Sequence, residues 1–247
     1  MQSFNAVFIN ELEKLIKRKK FISAAIISFI SIIIGQLIVV AVKHFSGINV
    51  AGASVFPTFV LSVFSYTIIP LFGIFVAVDL FAGEFSSNTM KLTLSRPVSR
   101  FKIFTAKIAS LAVFIASHLI FVMLVSMLSS LIVSGLKFNF LTVLMAYTAN
   151  FFPIFVFILL SALLSNILKG ATSVFMLSIF AYLVLLALGI VFSSLSSLFI
   201  VPLFGWFTMF IGGFINIWKI LRTFVIILSM GAILFSAGYF IFEKRSV

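Results

Sequence analysis

The chain has 247 residues, is 63% hydrophobic and only 9% charged, and has a mean hydropathy of +1.35. Soluble domains carry about 25% charge, so this composition cannot cover a water-facing surface and specifies an integral membrane protein. The net charge of +12 lies beside apolar runs, which fits anionic lipid headgroups rather than nucleic acid. The absence of Cys excludes disulfides and thiolate metal sites.

Residues 3–16 come first. Phe4, Phe8 and Leu12 recur at spacing four, with Val7 and Leu15 beside them, while Glu11, Glu13, Lys14 and Lys17 fall mostly elsewhere on the wheel. The pattern predicts an amphipathic interface helix over 3–20. A basic cluster, Lys17 to Lys20, then precedes the apolar run Phe21 to Val42. That run exceeds a signal-peptide core and lacks a clear A-x-A site, so it reads as a retained first span.

Span 2 is expected over about 58–82, bent at Pro70 and Gly73. A polar passage, Gly83 to Lys107, follows with Lys91, Arg96, Arg100, Lys102 and Lys107. Spans 3, 4 and 5 are expected over about 108–134, 141–165 and 171–193, with Pro153 inside span 4. Pro202, Gly205, Gly212 and Gly213 break the apolar stretch 194–222, which reads as a re-entrant outer hairpin. The last span is expected over about 223–242. The fold class is therefore all-α: one polytopic domain over 1–247 with six transmembrane helices. This layout places thirteen of the seventeen Lys and Arg residues inside, with both termini in the cytoplasm of a cell-membrane protein.

No GxxxxGK[ST] loop, GxSxG elbow or HExxH pair is present, so the chain is not read as an enzyme. His44 and His118 have no second His or acid at ligand spacing, so no metal site is expected. Among the five acids only Asp79 falls inside an expected span. It is a candidate buried acid, read either as a near-interface group paired to Lys or Arg, or as the ion-coupling site of a secondary transporter. Ser86 to Ser95 can form a short helix, and Pro97 forces a turn after it.

The run AGEFSSNTMKLTLSRPVSRFKIFTAK resembles the cytoplasmic loop of type-2 ABC transporter permeases. The family pattern is a Glu, a polar step, a Thr, a short apolar helix, a Pro-[VI]-x-Arg turn and a Lys opening the next span. Here these are Glu84, Thr89, Leu92 to Leu94, Pro97, Arg100 and Lys107, with Asn88 where the family has Gly. The resemblance implies the membrane subunit of an ATP-driven exporter, paired with a second permease subunit as a homo- or heterodimer. Each permease would dock on a cytoplasmic ABC ATPase subunit that binds the ATP, so the chain itself needs no cofactor. The loop over 84–100 would then act as a coupling helix, with contacts at Glu84, Thr89, Met90, Lys91, Arg96, Pro97 and Arg100. A hydrophobic or amphipathic substrate is implied. A passive membrane anchor explains the hydrophobicity but not the ordered loop motif.

Overall fold

The computed structural model describes residues 4–46, 56–87, 98–134, 138–168, 170–211 and 216–245. It is an all-α, six-span polytopic bundle. The spans are Lys19–Val42, Ile68–Ser86, Arg100–Val133, Phe140–Ile167, Ala171–Val191 and Ile217–Lys244. A separate helix, Phe4–Ile16, precedes them, and a short apolar helix, Phe56–Tyr66, leads into span 2. Local chemistry sets several starts. The Asn139 side chain accepts from the Leu141 and Thr142 amides, and Asn216 accepts from Lys219, so orphan donors at two helix starts are satisfied.

Spans 2 and 4 form the core. In their most apolar windows 67% and 61% of residues are buried, against 11% in span 5 and 17% in spans 1 and 6. Spans 1, 5 and 6 therefore turn most of their apolar surface outward, as lipid-facing helices do. Spans 2 and 4 touch at Gly73, where a Cβ would overlap the Ile158 side chain. Small residues permit such close approach between membrane helices.

The expected bend at Pro70 is a break four residues earlier. The helix stops at Tyr66 and restarts at Ile68. Proline has no N–H and its ring crowds the carbonyl four residues back, here that of Tyr66. The Tyr182 hydroxyl of span 5 donates to that carbonyl instead, at 2.5 Å. Pro153, by contrast, sits inside a helix that runs unbroken from Phe140 to Ile167.

Two 3-10 helices, Ser193–Leu198 and Pro202–Phe210, occupy the stretch between spans 5 and 6. The second packs inward, with Val201, Phe204 and Phe207 buried. Phe204 meets the rings of Tyr66, Phe157 and Tyr182, and Tyr66 donates to the Pro202 carbonyl at 3.4 Å. Pro202 fits against Gly189, where a Cβ would overlap its ring.

Two span boundaries differ from the sequence reading. Span 3 begins at Arg100, so Lys102 and Lys107 are helical rather than part of a loop. Span 6 begins at Ile217, which puts Lys219 and Arg222 in its first turns. Long basic side chains carry their charge to water from a helix that continues past the hydrocarbon, so apolar length alone underestimates these helices.

Tyr182→Phe should lower thermal stability in detergent by about 1 kcal/mol, because the Tyr66 carbonyl loses its donor. In a Pro70→Ala background the restored amide should make the same change nearly neutral. Equal losses in both backgrounds would contradict this account of the break.

Candidate functional site: a buried charge cluster

The N-terminal helix lies against span 3, and the face it buries is Val7, Glu11 and Leu15. This corrects the helical-wheel reading. Glu11 shares the inward stripe with Val7 and Leu15, while Phe4 and Phe8 stack on each other beside it. A carboxylate on a buried stripe requires a cation opposite, and span 3 supplies one.

Lys107 is fully buried, with 0% of its side chain exposed. Its Nζ donates to Glu11 Oε2 at 2.8 Å and to Glu84 Oε2 at 2.7 Å. Lys14 Nζ closes the ring, at 2.8 Å from Glu11 Oε1 and 3.4 Å from Glu84 Oε1. Both oxygens of both carboxylates thus face an ammonium group, and two positive charges balance two negative ones. Burial works against a charged Glu11, but the Lys107 and Lys14 ammonium groups outweigh it and hold its pKa below the usual carboxylate value. Burial also works against the charged form of Lys14, and the hydrogen bonds and charge of Glu11 and Glu84 outweigh it, raising its pKa. Both shifts favour the charged forms of Glu11 and Lys14.

Span 2 delivers its acids through a π-helical turn, Asp79–Gly83. A π turn pairs residues five apart, and such turns recur at functional sites. Asp79 and Glu84, five residues apart, line one open pocket of about 460 Å³ with Lys14, Arg18, Gly83 and Ser87. Asp79 is 19% exposed and is held by Arg18 at 3.1 Å and Lys20 at 2.9 Å. Lys20 also lies over the Phe75 ring. The helix then ends at Ser86, where the Ser86 and Ser87 hydroxyls donate to the Gly83 carbonyl at 3.0 and 2.8 Å.

Of the residues read from the sequence as coupling contacts, Thr89, Met90, Lys91, Arg96 and Pro97 lie outside the described residues, as does most of the helix expected over Ser86 to Ser95. Glu84 and Arg100 are described and belong to different contact sets. Glu84 turns inward onto Lys107 and Lys14 rather than outward. Arg100 donates to the carbonyls of Glu243 and Arg245 at the end of span 6. Sequence reasoning did not select Glu11, Lys14 and Lys107 as a site. The available signal was the V-x-x-x-E-x-x-x-L spacing of the first helix and a lysine deep in an otherwise apolar turn of span 3. His118, also buried, meets the Ser28 hydroxyl at 3.1 Å. Among the described residues no three His, Cys, Asp or Glu side chains gather at metal-binding range.

A family model described as "ABC-2 family transporter protein" matches residues 7–189, which includes all four members of the charge cluster. No curated protein matches the chain.

Lys107→Met should destabilise the protein by about 3–5 kcal/mol, because it leaves two buried carboxylates with one lysine between them. Neutralising both acids in the same chain, with Glu11→Gln and Glu84→Gln, should recover most of the loss. Thermal unfolding in detergent reads both. An unchanged melting temperature in Lys107→Met would show that the cluster is not a buried tie.

Proposed function

This chain belongs to the ABC-2 family of transporter proteins, and on that footing we propose that it is the membrane-spanning permease subunit of an ATP-driven exporter. It is a transporter-family component rather than an enzyme, and ATP is bound and hydrolysed by cytoplasmic ABC ATPase subunits. A second permease subunit, of the same or another sequence, completes the path. The substrate is hydrophobic or amphipathic, in keeping with spans that are almost wholly apolar.

The observation that carries this reading is where the segment 88–97 is rooted. Ser87 and Val98, the described residues on either side of it, adjoin helix ends fixed by Glu84 on one side and Arg100 on the other. A displacement of that segment has rigid attachments through which to act. Thr89, Met90, Lys91, Arg96 and Pro97 then supply the contacts to the ATPase, while Glu84 and Arg100 anchor the segment to the bundle. On this reading the charged end of the bundle and both termini face the cytoplasm, consistent with the excess of Lys and Arg there. The Phe4–Ile16 helix lies along the membrane surface as an amphipathic interface helix. The 193–210 stretch forms a re-entrant hairpin on the outer side, its second half covered by the Phe56–Tyr66 helix and spans 4 and 5. The chain works as a single permease domain.

The ion-coupled alternative required Asp79 to take up and release a cation. Its carboxylate is instead engaged by Arg18 and Lys20, which makes it a link between the start of span 1 and the end of span 2.

Purified from its own membranes in mild detergent, the chain should bring down a soluble ATPase in stoichiometric amount. Arg96→Ala with Lys91→Ala should reduce that association at least about tenfold, the scale set when truncation removes charged contacts central to an interface. A chain that purifies alone, and transports on an ion gradient that Asp79→Asn abolishes, would overturn the reading.

A further inference from the structure

We propose that Arg245, just past the end of span 6, is a positioning residue that fastens the root of the 88–97 segment to spans 4 and 6. The proposal rests on the permease reading above and adds to it a second path, separate from the charge cluster, by which motion of that segment reaches the bundle.

The geometry is that of a clamp. The last carbonyls of a helix have no amide partner within it. At the end of span 4 the Arg245 guanidinium takes up three carbonyls: Ser165 at 3.0 Å, Asn166 at 2.7 Å and Leu168 at 3.1 Å. The same guanidinium lies 3.7 Å from the centre of the Phe85 ring. Phe85 immediately follows Glu84 and stands three residues before the segment begins. Phe85 also meets Phe242 of span 6 edge-on. The Arg245 carbonyl in turn accepts from Arg100 Nη1 at 3.0 Å, which ties the start of span 3 to the same point. Glu84 and Phe85 are consecutive, yet Glu84 reaches toward the N-terminal helix and span 3, whereas Phe85 reaches toward spans 4 and 6. A push on the segment is thereby divided between two sets of spans.

The chemistry requires arginine. Its planar fork can reach several carbonyls while its face stacks on an aromatic ring, and a lysine ammonium cannot do both. Loss of the fork should leave ATP binding and hydrolysis in place while spans 4 and 6 fail to follow.

The chain has no native Cys, so labels can be placed uniquely. Phe45 and Trp218 are 87% and 83% exposed, at the ends of spans 1 and 6 remote from the clamp. In the complete complex with its ATPase, spin labels at Phe45→Cys and Trp218→Cys should change separation on adding ATP with orthovanadate. In Arg245→Ala the shifted fraction should fall about fivefold, the scale of coupling between touching side chains, at unchanged ATPase activity. Arg245→Lys should resemble Arg245→Ala. Phe85→Leu should produce the same loss, and the double variant no more than either single one. Should Arg245→Ala fail to assemble, Arg245→Lys and Phe85→Leu decide the question in the same way. A full shift in assembled variants, additive losses, or a separation that ignores nucleotide in the unmodified complex would overturn the proposal. A chain that brings down no ATPase at all would overturn the permease reading instead.

Discussion

The arrangement at the charged end depends on a lysine ammonium withdrawn from water. Lys107 has no exposed surface, and two carboxylates meet its Nζ within 2.8 Å. Those carboxylates come from elements far apart in sequence: Glu11 lies 96 residues away, on a helix outside the spans. The need to neutralise one buried charge therefore fixes where the N-terminal helix sits, where span 2 ends and how deep span 3 starts. Such a pair adds little net stability over apolar packing, because desolvation offsets most of the attraction. What it contributes is specificity. A slip of the N-terminal helix by one residue would move Glu11 off its stripe and leave charge unpaired.

The rest of the bundle is held by different means at its two ends. Near the cluster an aromatic group, with Phe81, Phe104 and Phe242 in mutual contact, fills the space between spans 2, 3 and 6. Toward the other end the ties are uncharged. Tyr147 donates to the Pro57 carbonyl and meets Ser126, and Asn150 donates to Ser65. Tyr182 repairs the break that Pro70 makes. Charged, directional contacts thus gather at one end of the bundle and neutral ones at the other.

Six spans were legible in the sequence because apolar length is a direct physical demand of the hydrocarbon layer. Their ends were less legible. Arg100, Lys102, Lys219 and Arg222 are charged, yet all four sit on span helices, since long side chains can reach water from inside a helix. Asp79 and Glu84 stood out as rare acids, and the pairing of Asp79 with nearby cations was one of its two sequence readings. Glu11 did not stand out, because Lys107, its buried partner, belongs to another element and a wheel drawn on one helix treats every charge as solvent-facing. Arg245 was equally hidden: its partners are backbone carbonyls, which no side-chain pattern displays.

Whether Lys107 holds the N-terminal helix in place against spans 2 and 3 can be read from spin labels at two exposed positions, Ala6→Cys and Lys102→Cys, as a distance distribution in lipid bilayers. A single narrow distance that broadens and lengthens in Lys107→Met is the predicted result. An equally narrow, unshifted distance in Lys107→Met would contradict it and assign the position of that helix to its apolar contacts alone.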